Sequence, residues 1–308
     1  MSWEKVLLAL FVFPGLLYAV PMAWLMLWIE RKLRARMQGR MGPPFYQPFF
    51  DFIKLMTKQP IPRPPLDGLL MTGLPLVALS AGLVALALLP VSLNSKSFAG
   101  DLVLLVAFIE VPSFCAVMAG FASRSLFGQV GATREAIMSI AYNLPFLTAM
   151  VALASSAQSL RLADIAAAPA TGVRVLSLLT LLLCLPAKLH LNPFSLSNAE
   201  QEIYSGPTTE FSGSQLALWE LAHGLEWVAL TGLTACLAIP FRTGSALGNV
   251  ALFAGFSLIL VILLTIAAAG TARLKVPQAA RVYWRWGMAL GVAALIMATV
   301  SNIERLIR

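Results

Sequence analysis

The feature that most limits what this chain can fold into is the recurrence of apolar runs as long as a bilayer is thick. A hydrocarbon core of about 30 Å is crossed by about 20 apolar residues in helical conformation. Eight runs of that order carry little or no charge: 6–29, 69–93, 102–123, 136–157, 173–191, 215–240, 250–269 and 286–303. Inside lipid every backbone N–H and C=O must be bonded internally, and a single apolar run achieves this only as a helix. The sequence therefore reads as an all-α integral membrane protein, a single transmembrane domain over residues 1–308 with about eight transmembrane helices. Charged residues make up 12% of the chain, against roughly a quarter in an average soluble domain. That excludes a disordered protein and argues strongly against a soluble one. The first run does not read as a signal peptide, because it is too long, Glu4 and Lys5 cancel where a basic leader would stand, and no small-residue cleavage pattern follows.

Lys and Arg outnumber Asp and Glu by 22 to 14, a balance that in a soluble protein would suggest nucleic acid. Here the bases lie between membrane runs. The loops after the first, third, fifth and seventh runs, counting Lys188 near the end of the fifth run, hold 15 of the 22, so the positive-inside rule places those loops in the cytoplasm and both termini outside. No internal repeat stands out, which weakens an inverted-repeat carrier reading. Cys115, Cys184 and Cys236 lie far apart within apolar runs, a pattern of packed side chains and not of a metal site or disulfide framework.

The first cytoplasmic loop opens with Glu30, Arg31, Lys32, Arg34 and Arg36, continues to Arg40, and breaks at Gly42-Pro43-Pro44. An amphipathic stretch follows, with Phe45, Phe49, Phe52, Ile53 and Met56 at helical spacing and Gln47, Asp51, Lys54 and Lys58 on the other side. It is expected to form an interfacial helix, with Pro48 in its first turn. The basic cluster reads either as an orientation and lipid-headgroup signal or as a docking surface for a cytoplasmic partner. The docking candidates are Glu30, Arg31, Lys32, Arg34, Arg36, Arg40, Asp51, Lys54 and Arg134.

The loop after the fifth run instead concentrates acids. Glu200, Glu202 and Glu210 stand within eleven residues, with Lys188 and His190 nearby in sequence as counter-charges. A solvated loop carries such a cluster without consequence, whereas one folded against the helix ends would hold protons near neutral pH.

Ionisable residues within the runs are more telling. Glu110 sits midway along the third run, and Glu220, His223 and Glu226 follow at three-residue intervals in the sixth. At about 100° per residue these three share a sector about 120° wide. A charge at the bilayer centre costs at least about 2.5–3.5 kcal/mol, so such groups face the bundle interior, pair, or stay neutral. Any one of them alone serves as interhelical glue; together, two carboxylates around a histidine favour proton handling. Arg134-Glu135 at the head of the fourth run either extends that path or closes an ion pair. No phosphate loop, zinc cluster, Ser-His-Asp constellation or haem-type histidine pair is found in the sequence. Any energy input then comes from a solute gradient or from a partner that transfers electrons.

At this point the chain resembles a family: the membrane subunit that anchors the soluble arm in respiratory complex I, its subunit 1, and in energy-converting membrane-bound hydrogenases. The residues that carry the resemblance are Glu30 to Leu33 with Arg36, Gln38, Arg40, Gly42 and Pro43, and Gln47-Pro48 with Asp51, Lys54 and Leu55. Further along they are Gly131-Ala132 with Arg134, Asn192-Pro193-Phe194 with Glu200 and Glu202, and Thr209-Glu210-Phe211-Ser212-Gly213. The resemblance implies a coupling element beneath a redox module, with a proton path through Glu110, Glu135, Glu200, Glu202, Glu210, Glu220, His223 and Glu226.

The short passage from Gly42-Pro43-Pro44 to Gln47-Pro48, and the wording around Gly131 and Asn192, look closer to the hydrogenase branch and count against a quinone site. The implied partners are a cytoplasmic hydrogenase-like large subunit, iron-sulfur subunits, antiporter-like membrane subunits and the lipid bilayer, with no nucleic acid. Iron-sulfur clusters and any nickel-iron centre would belong to those partners, in the cytoplasmic membrane of a prokaryote. Two residues depart from the family pattern: Ser195 where Asp is common after Pro-Phe, and Asn143 after Tyr142 where Glu is common. Each replaces a carboxylate, so the route is either redirected or lost. Three other readings stay open: the quinone-site subunit 1 of NADH:quinone oxidoreductase, a stand-alone proton-linked carrier, and an anchor without proton function.

Overall fold

The computed structural model describes residues 10–61, 65–91, 97–239 and 245–307, without the side chains of residues 65, 66, 200, 246 and 306. The helices in chain order are α1 (Leu16–Met37), α2 (Gln47–Met56), α3 (Pro65–Ala87), α4 (Asp101–Ala122), α5 (Leu126–Ala157), α6 (Leu162–Ala167) and α7 (Gly172–Lys188). There follow α8 (Glu200–Ile203), α9 (Gly213–Ala238), α10 (Ala246–Ala269), α11 (Val276–Val282) and α12 (Met288–Ile307). A 3-10 turn at Gly206–Thr208 precedes α9, and a π turn at Tyr283–Gly287 joins α11 to α12. Among the described residues there is no strand.

Among the described residues, six segments are long and apolar enough to cross a bilayer: Asp67–Ala87, Asp101–Ala122, Leu126–Ala157, Gly213–Ala238, Leu247–Ala269 and Val276–Arg305. The protein is therefore a multi-pass membrane protein. Two further expected runs correspond to α1, which ends in a charged stretch, and to α7, which is 17 residues long. Residues 6–9, 92–93 and 240 of the expected runs lie outside the described residues.

The bundle is organised around α9, which packs against α1, α3 and α10, while α4 lies between α3 and α5, and α12 covers α5 and α7. Proline is tolerated inside five of these helices, at Pro21, Pro75, Pro112, Pro145 and Pro186, because neighbouring helices satisfy the freed backbone groups. Near Pro186 the Tyr283 hydroxyl donates to the Leu183 carbonyl at 3.2 Å.

α5 begins ten residues ahead of the apolar run that marks it in the sequence. Small residues make the extra turns possible. A Cβ on Gly131 would come within 2.7 Å of the Pro207 ring, and one on Gly120 of α4 would meet Ala132 at 2.6 Å. The polar start of α5 is thus wedged against α4 and the 3-10 turn, and hydropathy alone does not register it.

The first loop folds back on its own helix. Trp28 Nε1 donates to the Pro43 carbonyl at 3.2 Å, Lys32 Nζ donates to the Gly42 carbonyl at 3.0 Å, and Gly39 turns the chain at φ +71°, a conformation that favours glycine. The amphipathic helix forms as α2, with Trp24 of α1 packed on Phe49 and Phe52 at ring-centroid distances of 5.2 and 5.8 Å. Asp51, bonded to Gln47 at 2.7 Å, turns toward α1 to pair with Arg31 at 3.2 Å, leaving Phe50, Ile53 and Met56 exposed.

Candidate functional site

The site is a polar seam through the middle of the bundle, built by α4, α5, the end of α7 and α9. Its widest part is a cavity of about 70 Å³ lined by Ser113, Glu135, His190, Ser197, Glu220, His223 and Glu226 among others. A polar space of that size holds several waters.

On α9 the three-residue spacing places its members at graded depth: Glu226 is buried, His223 half-buried and Glu220 exposed. Trp227 Nε1 donates to His223 Nε2 at 3.1 Å. With Nε2 acting as acceptor, the neutral ring carries its hydrogen on Nδ1, which faces the Glu226 carboxylate at 3.4 Å. Across the cavity, the His190 ring lies 5.3 Å from that of His223, centroid to centroid. His190 Nδ1 sits 3.0 Å from the Ser197 hydroxyl and 3.6 Å from the Glu135 carboxylate.

Glu135, 2% exposed, accepts from the Tyr142 hydroxyl at 3.2 Å, and that hydroxyl lies 3.2 Å from Ser113 Oγ. Beyond Tyr142 the seam ends in a closed triangle. Lys188 Nζ bonds Glu110 Oε1 and donates to Asn143 Oδ1 at 2.8 Å, while Asn143 Nδ2 donates to Glu110 Oε2. The ammonium also lies 4.8 Å from the centre of the Tyr142 ring and 4.4 Å from that of Phe146, within cation–π range.

Of the residues proposed from sequence for a proton path, Glu135, Glu220, His223 and Glu226 meet at the cavity, and Glu110 stands at the far end of the seam. The loop carboxylates are elsewhere. Glu202 is ion-paired with Arg134, and the Glu200 side chain lies outside the described residues. Glu210 does not line the cavity but has an interaction of its own.

The docking candidates fall into two groups. Glu30 is buried and paired with Arg34, Arg31 is paired with Asp51, and Lys32 is tied to the loop backbone. Arg36, Arg40 and Lys54 are exposed. Ser195 is buried, and Asn143, one of the departures from the family pattern, is a corner of the triangle.

The site also contains residues that sequence reasoning did not assign to it: Tyr142, Lys188, His190 and Ser197. Lys188 and His190 were visible as bases near an acidic loop. Their true partners, Glu110 and Glu135, are 78 and 55 positions away in sequence. Buried charges require such partners, which was the available signal.

A second cavity, of about 290 Å³, opens between α1, α2 and α9, with Trp24, Phe52, Arg31, Lys54 and Glu220 in its wall. Among the described residues no group of three or more His, Cys, Asp or Glu is placed to hold a metal ion, and the three cysteines are free and buried in separate helices. This donor set does not fit an iron-sulfur cluster.

Helices long and apolar enough to cross a bilayer, around a seam of acids, imidazoles and a buried lysine, define a polytopic membrane protein, and comparison with known proteins supplies the family. The family model described as NADH dehydrogenase matches residues 8–299, and the chain belongs to that family, of the complex I subunit 1 type.

Among curated proteins it is similar to hydrogenase-4 component C of Escherichia coli, 33% identical over 220 residues that cover 69% of this chain and 70% of the relative. It is also similar to the NADH-quinone oxidoreductase H subunit of Dehalococcoides mccartyi, 27% identical over 308 residues that cover 96% of this chain and 86% of the relative. Its fold matches a chain from the membrane-bound sulfane sulfur reductase, an archaeal respiratory membrane complex. The TM-score is 0.87 at 24% identity, over 96% of this chain and 99% of that one. The relatives are components of multisubunit respiratory complexes.

Proposed function

We propose that the chain is the membrane subunit that anchors a cytoplasmic, hydrogenase-type redox module and couples its electron transfer to proton translocation. The observation that carries this reading is the polar cavity bounded by Glu135, His190, His223 and Glu226 and linked through Tyr142 to the Glu110 end of the seam. Buried acids and imidazoles within hydrogen-bonding reach of one another are the parts of a proton relay. Such groups are costly inside a membrane, and they mark pathways along which charge moves. The 33% identity to a hydrogenase-4 component supports the hydrogenase branch.

The fold is then one transmembrane domain of eight spans, counting α1 and α7, with both termini outside a prokaryotic cytoplasmic membrane. The module docks on the first loop through Arg36, Arg40 and Lys54, and antiporter-like subunits lie beside the bundle. Redox centres, iron-sulfur and nickel-iron alike, reside in partners.

The test is proton release in inverted vesicles carrying the native complex. Glu226→Gln and Glu135→Gln should each cut it by about 10²-fold, the usual worth of a positioned proton-transfer group, while electron transfer in the soluble arm continues. Unchanged release in both variants would leave an anchor without proton function.

A second reading, a quinone-reducing subunit 1 of complex I, is favoured by the larger cavity beside α2, which offers aromatic walls next to charged groups. Quinone retained by the purified complex would select it.

A further inference from the structure

Trp227 is the largest of the fully buried side chains, and its one polar atom points at a histidine. An indole nitrogen is a donor and never an acceptor, so the atom it bonds, His223 Nε2 at 3.1 Å, holds no hydrogen while the bond lasts. The single hydrogen of the neutral ring then sits on Nδ1, 3.4 Å from the Glu226 carboxylate. An imidazole has two nitrogens, and both are taken by residues one turn further along α9. Neither is left for Glu220 on the turn before.

The surroundings alone do not fix where that hydrogen points. Carboxylates face His223 from three helices, Glu220 and Glu226 from α9, Glu135 from α5 and Glu30 from α1, and the His190 ring stands 5.3 Å away after α7. A half-turn of the imidazole about its Cβ–Cγ bond would put carbon where each nitrogen now stands. The other tautomer would aim its hydrogen at the indole. Trp227 opposes both changes, because each leaves its buried N–H without an acceptor. Its ring stands at 83° to the imidazole and is itself 2% exposed, so close packing keeps it from following.

We propose that Trp227 is a positioning residue for proton transfer, holding His223 as a fixed hydrogen-bond donor to Glu226 and barring the ring from passing a proton through itself. A histidine that shuttles protons takes one up at one nitrogen and gives one up at the other. With Nε2 occupied by the indole, that exchange is closed. The α9 stripe is therefore not a wire. Its middle member orients Glu226, and protons reach Glu226 from the cavity, on the side of His190 and Glu135. The proposal rests on the proton-coupling reading above and goes beyond it by giving Trp227 and His223 distinct roles.

Two measurements test it. The first is NMR of the ring nitrogens in the isotope-labelled full chain in lipid, whose two histidines are His190 and His223, with His190→Asn identifying the signals that remain. His223 should show a protonated Nδ1 and a bare Nε2. Trp227→Phe, which keeps an aromatic ring and loses the donor, should return it to a mixture of tautomers. A hydrogen on Nε2 in the wild-type chain would overturn the proposal, and that spectrum is read whether or not the variants assemble. An unchanged spectrum in Trp227→Phe would overturn it equally.

The second measurement is protons released per electron by the native complex in inverted vesicles, with assembly checked by co-purification of the soluble arm. Trp227→Phe should lower the yield about two- to tenfold, the equivalent of one hydrogen bond. His223→Gln, whose amide accepts from the indole and donates to Glu226 but carries no proton through, should keep a substantial part of the yield. His223→Leu should lose at least as much as Trp227→Phe, and adding Trp227→Phe to it should cost nothing further.

A packing role for Trp227 would instead show as the same loss in both backgrounds, and a proton-carrying ring as a His223→Gln complex as poor as His223→Leu. Either result, or a full yield in Trp227→Phe, overturns the proposal. All are separable from failure of the coupling reading, which would appear as normal yields in Glu135→Gln and Glu226→Gln.

Discussion

α9 and α10 lie side by side and obey opposite rules. α9 is the least apolar of the six candidate spans and the most buried, with 83% of its central window inside the protein. α10 is the most apolar, and only 33% of its window is buried. In a soluble protein apolarity tracks burial. Here the surrounding solvent is hydrocarbon, which supplies no drive to hide Ile or Leu but strongly disfavours Glu, His and Trp N–H groups. α9 therefore goes inside because of its polar residues and its small ones. Gly224 lies against Ala23 of α1, and Gly232 lies under the Phe253 ring of α10.

The contrast can be broken by substitution. The largest effect is expected at Trp227 of α9, the largest of the fully buried side chains. Trp227→Ala removes core volume and the donor to His223, and should lower stability by about 3–5 kcal/mol. Thermal unfolding of the purified complex would show this as a large drop in the midpoint, and a midpoint equal to that of Leu263→Ala on α10 would end the comparison.

Next comes the reverse experiment, a charge placed on the lipid side. Leu263 of α10 is 58% exposed, and Leu263→Arg should cost about 2.5–3.5 kcal/mol if that face meets acyl chains. Membrane-inserted yield is the measurement, and wild-type yield would mean that α10 is covered by something polar.

A smaller loss is expected from Gly131→Ala, whose new methyl would press on the Pro207 ring and the Gly206 backbone. Overpacking of this kind costs about 1–3 kcal/mol. Protease protection of the loop 192–212 should report it, and unchanged protection would show that the loop does not depend on its seat against α5. The smallest effect is expected at Arg134→Ala. Its partner Glu202 is about half exposed, so the pair should be worth no more than about 1 kcal/mol and fade with salt. A large, salt-independent loss would show that this pair is buried by a partner subunit in the assembled complex.

Much of the architecture was legible beforehand. Length and apolarity located the bundle helices because the bilayer imposes a minimum span that few sequences meet by accident. The helix break at Gly42-Pro43-Pro44 and the amphipathic stretch after it were legible from proline, glycine and period. The sequence missed the first ten residues of α5, since their helix is held by close packing of Gly128, Gly131 and Ala132 and not by an apolar surface.

For the site, the α9 stripe and Glu110 were found because ionisable groups inside apolar runs are conspicuous. The stripe's unequal depths were not, since a shared sector does not say which neighbour covers it. Lys188 and His190 looked like counter-charges of the acidic loop but turn inward to Glu110 and Glu135.

By itself, then, the sequence determined the solvent, the helical class and the presence of charges that had to be sheltered, because transfer costs into lipid act on each residue independently. The tertiary structure alone decided which of those charges shelter one another. Pairings such as Glu110 with Lys188 and Asn143, or His190 with Glu135, depend on the angles at which α4, α5, α7 and α9 cross, and those angles follow from interlocking side chains that no single segment encodes.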